Sequence, residues 1–230
     1  LDLPLLREAL DGVRGETAAF ALDVTDRGSF DAFIDGVEQQ LGPVDVLINN
    51  AGVMSISSFL DETDAVAERQ FDINVLGPMY GMKIVIPRMQ RRGRGHVINI
   101  ASSAGRFGVP GVATYSASKF GVLGLTEAVG NELRDTPLNF SAVCPVVVQT
   151  ELTAGVIEKT RGVPLLQAHE VAQAIGETIV KPRPIVYVPG SVRFTYLLTL
   201  AMPGPLRRAI ERFTKADRVL TKIDDAGRSD

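Results

Sequence analysis

The sequence predicts an α/β fold in which a doubly wound parallel sheet lies between two layers of helices, giving three layers, α/β/α. Short apolar runs alternate along the chain with longer segments whose apolar residues recur at helical spacing. This alternation is typical of parallel strands joined by helices. The apolar runs contain few polar residues, as expected of strands covered on both faces. The sequence has neither internal repeats nor a low-complexity linker.

The first predicted elements are a strand, a helix and a second strand. The run from Thr17 to Leu22 is apolar and ends at Asp23, as strands do at the carboxyl edge of a sheet. Apolar residues at helical spacing predict a helix from Ser29 to Leu41, which the following Gly-Pro pair would stop. The next apolar run, Val44 to Ile48, predicts a buried parallel strand.

The alternation continues through the second half of the domain. A long helix is predicted around Phe71 to Ile86, and Pro78 is expected to bend it. Another helix is predicted from Tyr115 to Leu133, where several small residues allow close approach to neighbours. The remaining predicted strands are Val97–Ile100, Phe140–Val143 and Ile185–Val188.

Composition narrows the class of protein. The 230 residues suffice for one domain with a large core, and 45% hydrophobic with 22% charged residues is ordinary for a soluble globular protein. A net charge of −3 argues against nucleic-acid binding. With Cys144 as the only cysteine and two histidines, neither a disulfide framework nor a metal site is expected. No membrane span or signal peptide is visible in the sequence, so a cytoplasmic location is expected.

A tyrosine and a lysine stand four positions apart in the run Y-S-A-S-K, which extends from Tyr115 to Lys119. Residues at i and i+4 share a helix face, so the ammonium can lie beside the phenol. A nearby cation favours phenolate and lowers the phenol pKa from its usual value of about 10. Tyr115 would then serve as a general acid or base. The pair by itself would also be expected of two polar side chains exposed on a helix surface, an exposed ladder without a catalytic role.

Three further motifs accompany this pair: V-D-V-L-I-N-N-A-G at Val44–Gly52, N-V-L-G at Asn74–Gly77 and V-I-N-I-A-S-S at Val97–Ser103. Ser102 precedes Tyr115 by 13 positions. With these motifs in this order and spacing, the chain resembles the classical branch of the short-chain dehydrogenase/reductase family. The matches run from Asp23 to Thr150, and fainter similarity continues to about Pro189. The resemblance implies a Rossmann-like fold and an NAD(P)-dependent oxidoreductase.

The resemblance implies a catalytic set of Asn74, Ser102, Tyr115 and Lys119. Tyr115 would exchange the proton of a hydrophobic secondary alcohol or ketone while a hydride passes to or from nicotinamide. Ser102, rather than the adjacent Ser103, would bind the substrate oxygen. Lys119 would lower the pKa of Tyr115 and bind the nicotinamide ribose. Asn74 would hold a water in a proton path, although an asparagine that satisfies a helix kink would look the same in the sequence.

The resemblance also implies residues that bind NAD or NADP. Asp23 and Val24 would contact the adenine, although a helix cap is an alternative role for Asp23. The adenosine ribose would lie over Asn50, Ala51 and Gly52, while Asn49 is expected to bond within the sheet. Tyr115 and Lys119 would contribute from the catalytic helix. The nicotinamide carboxamide would bind the stretch containing Pro145, Val148 and Thr150, in which Val146 stands where the family has glycine.

One part of the family pattern does not occur in this sequence. No G-x-x-x-G-x-G turn is present, and Leu1–Gly12 resembles the segment just after the family's second strand. Residues 1–190 are therefore expected to form a dinucleotide-binding and catalytic domain without its first strand, helix and strand. The missing strands would lie between the Thr17–Leu22 and Val44–Ile48 runs. We expect a longer protein, with an intact mass several kDa above 24.7 kDa; the less favoured alternative is a natural truncation that has lost cofactor binding. The choice between NAD and NADP stays open.

The sequence predicts the substrate-binding region and the C-terminal tail less specifically than the catalytic residues. The loop Ala104–Val112, with Arg106 and Phe107, and a mobile lid at Glu151–Pro164 are expected to line an apolar pocket suited to a steroid, retinoid or acyl chain. Residues 191–230 form an amphipathic C-terminal extension of the same domain. It would pack on protein, cover the pocket or lie on a membrane surface, the first being favoured. The helices of Asn74 and Tyr115 are expected to form a homodimer or homotetramer contact.

Two other functions remain open on the sequence alone. One is a non-catalytic binding or scaffold protein that keeps the nucleotide fold. The other is an extended-type NAD-using epimerase or lyase, which shares the Tyr-x-x-x-Lys pair. The N-N-A-G and N-V-L-G runs fit the classical branch better.

Overall fold

A parallel sheet forms the centre of the protein. The computed structural model describes residues 8, 10, 12–153 and 165–202. Among these described residues the sheet has four strands in the order β1-β2-β3-β4, and every neighbouring pair is parallel. The strands are β1 Val46–Asn49, β2 Gly95–Ile100, β3 Leu138–Pro145 and β4 Ile185–Val188. The α/β class and these four predicted strands are confirmed.

Helices connect the strands. They are α1 Arg27–Leu41, α2 Asp64–Phe71, α3 Gly77–Arg92, α4 Ala113–Glu132, α5 Ala168–Val180 and α6 Val192–Ala201. A π-helical segment, Asp72–Leu76, joins α2 to α3, so the helix predicted around Phe71 to Ile86 is a composite of three parts. Single 3₁₀ turns occupy Ser103–Gly105 and Glu151–Thr153.

The first helix shows how local sequence sets the element boundaries. The side chain of Asp26 accepts hydrogen bonds from the backbone amides of Gly28 and Ser29, so α1 begins two residues before the predicted start. At the other end Gly42 has a φ of 87°, which glycine adopts without steric cost. Arg88 of α3 pairs with Asp31, Asp35 and Glu38 of α1 at 2.7–2.9 Å and ties the two helices together.

Each face of the sheet has its own apolar core. On one face, buried residues of α1 and α3 such as Ile34, Val85 and Met89 pack on Leu47 and Val97. On the other, Ile98, Val143 and Val186 pack against α5. The sequence analysis did not predict α5 or α6. In the structure α5 has a capping box in which Gln167 and Glu170 exchange hydrogen bonds with each other's backbone amides.

The predicted strand at Thr17–Leu22 is wrong. These residues lie outside the sheet, and Asp23 is exposed. The edge of β1 that faces them has no strand partner among the described residues. A groove of about 310 Å³ separates the segment from β1 and is lined by apolar side chains such as Leu22, Phe30 and Ile48. An apolar run alone does not make a strand, because a strand also needs a neighbour for its backbone hydrogen bonds.

Two predicted regions lie wholly or partly outside the described residues. The predicted lid Glu151–Pro164 is described only for its first turn, Glu151–Thr153, and the tail only to residue 202. In the part of the chain that the structure covers, no helix has the length and apolar character needed to cross a bilayer.

Candidate active site

The carboxyl ends of the strands bring the predicted site residues to one edge of the sheet. Asn50 directly follows β1, Ser102 follows β2 by two residues, and Pro145 ends β3. In open parallel sheets this edge is where ligands bind. Helix α4 begins at Ala113, so its first turn carries Tyr115 to the same edge, beside Ser102.

Tyr115 and Lys119 are both buried in the first turns of α4. Lys119 is 5% exposed, and its Nζ donates a 2.9 Å hydrogen bond to the backbone carbonyl of Ile100. Nζ lies 5.7 Å from the centroid of the Tyr115 ring. The two side chains therefore share a helix face as predicted, and the interpretation of the pair as an exposed surface ladder is wrong.

Burial sets the acid–base properties of this pair. It raises the pKa of the Tyr115 phenol, and the nearby Ser102 hydroxyl acts in the opposite direction. It lowers the pKa of Lys119 to about 8. The expectation that Lys119 lowers the pKa of Tyr115 is not met in this structure, because removal of the phenol from water dominates and the ammonium is bonded to a carbonyl.

Ser102 lies in a turn that is packed tightly against α4. Its hydroxyl accepts a 3.1 Å hydrogen bond from the amide of Ala104 and caps the 3₁₀ turn. A Cβ on Gly105 would lie 2.6 Å from the backbone oxygen of Lys119, so only glycine allows this approach. The turn thereby fixes the serine relative to both members of the Tyr115–Lys119 pair.

Asn74 occupies the π-helical segment and has no exposed surface. Its Nδ2 donates to Val53 O and to Ser118 Oγ, and its Oδ1 accepts from Val53 N, each at 2.9 Å. Both amide hydrogens are therefore used, and only an acceptor position on Oδ1 is left for a water. The side chain bonds the loop at Val53 and helix α4 at Ser118 rather than the backbone of its own helix, so it does not satisfy a helix kink. The proton-path role stays a prediction, and π-helical turns often mark functional sites.

Gly52 lies between Asn74 and Lys119. A Cβ at this position would lie 3.3 Å from Asn74 Oδ1 and 3.5 Å from Lys119 Nζ. A side chain here would crowd both polar groups. Asn50 and Ala51, which precede Gly52, are exposed at the sheet edge. As predicted, Asn49 bonds within the sheet, where its Nδ2 donates to Asn99 Oδ1 at 2.7 Å.

Asp23 does not cap α1, because Asp26 does. The Asp23 carboxylate instead accepts hydrogen bonds from the hydroxyl and amide of Thr25, at 2.7 and 2.9 Å, and these lower its pKa. It stays exposed and ionised at the sheet edge. Val24 packs on α3 at Gly77, where a Cβ would lie 3.1 Å from the valine. This contact explains the glycine of the N-V-L-G motif.

The stretch after β3 continues along the same edge. Val146 donates its amide to Val188 O at 3.0 Å and packs in the α5 core, so the valine fits without disturbing the chain. Val148 forms a parallel bridge with Leu166. Thr150 is exposed, and its amide donates to Thr153 Oγ1. No described contact joins Pro145, Val148 or Thr150 to the Tyr115 cluster.

Several site features were not predicted. Apolar side chains pack around Tyr115, namely Met54, Ile56, Ala104, Val109 and Val112. Buried Gln70 holds the loop after Gly52 in place, since it accepts from Ser55 N and donates to Glu62 and Thr114 at 2.7–3.0 Å. Arg106 and Phe107 were predicted to line the pocket. Arg106 turns away to pair with Glu127 at 2.9 Å, and Phe107 stacks on Tyr196.

The residues present fit a nicotinamide dinucleotide in part. Asn50 and Ala51 are exposed at the carboxyl edge, half-buried Gly52 follows them, and the exposed Asp23 carboxylate can act as an acceptor. A phosphate-binding glycine turn is not part of this sequence. Among the described residues, no cluster of His, Cys, Asp or Glu side chains is arranged to hold a metal ion.

Comparison with known proteins gives consistent matches. The chain is 29% identical to rat 17-beta-hydroxysteroid dehydrogenase 13 over 84% of this chain and 65% of that protein. It is 34% identical to the ketoacyl reductase HetN of Nostoc over 75% of this chain and 60% of that protein. The chain therefore spans about three fifths to two thirds of these relatives.

A solved structure agrees with the fold. The chain superposes with a TM-score of 0.76 on a short-chain dehydrogenase/reductase from Burkholderia phymatum in complex with NAD, at 23% identity and covering 93% of this chain and 82% of that one. The model of the short chain dehydrogenase family matches residues 4–161. The chain belongs to the short-chain dehydrogenase/reductase family.

Proposed function

We propose that the protein is an NAD(P)-dependent oxidoreductase that interconverts a hydrophobic secondary alcohol and its ketone, with Tyr115 as the general acid and base. The observation that carries this proposal is the buried grouping of Tyr115, Lys119 and Ser102 at the carboxyl edge of the sheet, bordered by apolar side chains. A buried phenol beside an ionisable amine and a hydroxyl is suited to proton exchange with an alcohol.

Each residue of the grouping has a separate role in this proposal. In alcohol oxidation the Tyr115 oxygen, as phenolate, accepts the hydroxyl proton. Ser102 donates a hydrogen bond to the substrate oxygen and stabilises its developing charge. Lys119 supplies positive charge close to the phenol ring, and Asn74 fixes Val53 and the Gly52 backbone beside it. In ketone reduction the same groups act in reverse, and Tyr115 donates the proton.

The hydride requires a nicotinamide cofactor, which accepts it in oxidation and supplies it in reduction. Asn50, Ala51 and Gly52 would hold the adenosine ribose, and Asp23 and Val24 the adenine. Pro145, Val148 and Thr150 would contact the carboxamide, and Lys119 and Tyr115 the nicotinamide ribose. The proposed cofactor is NAD or NADP.

The substrate class is inferred from the side chains around the phenol. Met54, Ile56 and Val109 are partly buried against Tyr115 and present apolar surface. Apolar walls with one convergent polar group favour a bulky apolar substrate that carries one oxygen. Two relatives whose names specify a hydroxysteroid and a ketoacyl group support the same class. We propose steroid, retinoid and acyl-chain alcohols as the first candidates, in a cytoplasmic homo-oligomer.

Replacement of Tyr115 by Phe tests the assignment. The variant keeps the ring and loses the proton donor, so we expect the rate of a panel of secondary alcohols and ketones, followed at 340 nm with NAD and NADP, to fall about 10²–10⁴-fold. Phe120→Leu, one residue beyond Lys119 on the exposed side of α4, is the matched control and should retain activity. Near wild-type turnover of the Tyr115→Phe variant would falsify the role.

The same assay separates the other functions. A scaffold protein would show no turnover with any substrate, even if NADH fluorescence changed on mixing. An epimerase would convert substrate without net consumption of the cofactor. A steady change in absorbance at 340 nm that is lost in Tyr115→Phe supports a dehydrogenase and neither of the other two functions.

A further inference from the structure

Helix α6 contributes one buried side chain toward the site. Among the α6 side chains that the structure describes, Tyr196 is 4% exposed, whereas Phe194 is 75% exposed and Leu198 65% exposed. Residues two positions away on a helix point to nearly opposite faces, which explains this contrast. Among these side chains, Tyr196 is therefore the one on the face of α6 that packs against the protein.

Tyr196 reaches the turn that carries Ser102. Its hydroxyl donates to the backbone carbonyl of Ser103 at 2.5 Å, across 93 positions of sequence. Its ring stacks on Phe107, with centroids 5.3 Å apart, and lies 5.0 Å from the ring of Tyr187 on β4. The helix thus contacts both the first residue of the 3₁₀ turn and the loop after it.

Besides Tyr196, the turn is fixed by the hydrogen bond from Ala104 N to Ser102 Oγ and by the ion pair of Arg106 with Glu127. Its own backbone hydrogen bonds are Gly105 N to Ser102 O and Arg106 N to Ser103 O, both 3.0 Å. On the side of α4, Gly105 lies directly against the backbone of Lys119. The turn is held between α4, which carries the acid–base pair, and the Tyr196 hydroxyl of α6.

We infer that Tyr196 is a positioning residue that holds Ser102 in register with Tyr115. This inference rests on the proposed function of Ser102. Tyr196 lies beyond residues 4–161, the part that the family model matches. The contact consequently links helix α6, which lies outside the part matched by the family model, to the turn that carries Ser102. Loss of the hydroxyl should loosen the serine turn while the aromatic stack keeps α6 in place.

The test compares Tyr196→Phe with Tyr187→Phe, which removes a hydroxyl from the adjacent ring but leaves the Ser103 contact intact. For Tyr196→Phe we expect kcat to fall about tenfold with little change in KM, the scale of one lost hydrogen bond. The substrate is the most active alcohol of the 340 nm panel. We expect Tyr187→Phe to stay within about twofold of wild type, a change well below one hydrogen bond.

Amide hydrogen exchange gives a readout that does not depend on activity. The amides of Ala104–Arg106 should exchange faster in Tyr196→Phe than in wild type or Tyr187→Phe, with exchange in β2 unchanged. Loss of the Ser102 contact should also shift the Tyr115 limb of the pH–rate profile to higher pH, because that hydroxyl acts to lower the phenol pKa. The ionisable group that lies over the Tyr115 ring is Lys119, whose pKa burial lowers to about 8. Both variants retain Lys119.

The outcomes are distinguishable. Unchanged kcat and unchanged exchange in Tyr196→Phe, with Tyr115→Phe inactive, would overturn the positioning role and leave the proposed function standing. An active Tyr115→Phe variant would overturn the proposed function, while the exchange data would still report whether Tyr196 orders the turn. If Tyr196→Phe unfolds, Phe107→Leu serves instead. It removes the ring that stacks on Tyr196 but keeps the Tyr196 hydroxyl, and it should accelerate exchange in Ala104–Arg106 to a smaller extent. Unchanged exchange in Phe107→Leu would then count against the role.

Discussion

Lys119 is almost fully removed from solvent although it carries an ionisable amine. Its ammonium group donates a hydrogen bond to Ile100 O and lies over the Tyr115 ring, 5.7 Å from the ring centroid. Burial therefore lowers its pKa to about 8, from an ordinary value of 10.5. The neighbouring Tyr115 has a raised pKa for the same reason.

This burial predicts how stability depends on pH. The folded pKa of Lys119, about 8, is below the unfolded value of 10.5, so between these values the unfolded chain binds a proton that the folded chain lacks. The free energy of unfolding of wild type should therefore rise across this window relative to Lys119→Met, by at most about 3 kcal/mol. Urea unfolding of both proteins at pH 7, 8, 9 and 10 measures the difference.

The comparison between variants cancels other titrating groups, which both proteins share. Lys83→Met, at an exposed position of α3, is the control and should show no such pH-dependent difference from wild type. A constant difference between wild type and Lys119→Met from pH 7 to 10 would mean that Lys119 titrates in the folded protein as it does in water.

At the scale of elements, the sequence predicted those strands and helices whose pattern is local. The strands β2, β3 and β4 and the helices α1 and α4 were found within about two residues of their bounds. The Thr17–Leu22 strand failed because pairing depends on a neighbour that sequence pattern does not reveal. The π-helical turn at Asn74 could not be predicted from the pattern either, because a one-residue insertion in a helix leaves the same apolar spacing on either side.

The residues of the candidate site also fall into those that a local motif predicts and those that depend on distant partners. Tyr115, Lys119, Ser102 and Asn74 were identified because they lie in short motifs. Gln70 and Tyr196 were missed because their roles depend on partners far away in sequence: Gln70 bonds Thr114 across 44 positions and Tyr196 bonds Ser103 across 93. Gly105 belongs to the same group, since only the packing of its turn against α4 shows why glycine is needed.

The 3₁₀ turn offers a test of element packing with a control in the same loop. In Gly105→Ala the new Cβ would meet the Lys119 backbone at 2.6 Å, and backbone atoms yield less than a flexible side chain. We expect a loss of about 1–3 kcal/mol in stability, together with reduced activity as Ser102 shifts. Gly108→Ala meets nothing within 4 Å and should leave both unchanged. Thermal unfolding and the 340 nm assay measure these effects.

Equal stability of the two alanine variants would show that the turn moves away from α4 easily. That result would also weaken the inference about Tyr196, since a turn that yields freely on one side is not held between two helices.

At the scale of the whole molecule, the outer face of α2 and α4 presents aromatic side chains to solvent. Phe71 at the end of α2 is 38% exposed, and Phe120 of α4 is 44% exposed. Val75, in the π-helical segment that follows α2, lies close to Gly121 of α4, where a Cβ would be 3.4 Å from the valine. Exposed aromatic side chains favour association with another protein surface. The subunit contact predicted from the sequence involves the helices of Asn74 and Tyr115, which border this face.

We expect this face to mediate the homo-oligomer, and Phe120→Asp to disrupt it. A carboxylate placed in an apolar interface has no partner there and costs several kcal/mol to desolvate, so the variant should elute as a smaller species with a lower mass by light scattering. Val180→Asp, at an 86% exposed position on α5, is the matched control and should keep the wild-type mass. The Phe120 side chain points away from the buried face that carries Lys119, so the fold of the variant should persist, as circular dichroism can verify. An unchanged mass for Phe120→Asp would place any subunit contact on another face, and the exposed aromatic pair would then need a different partner.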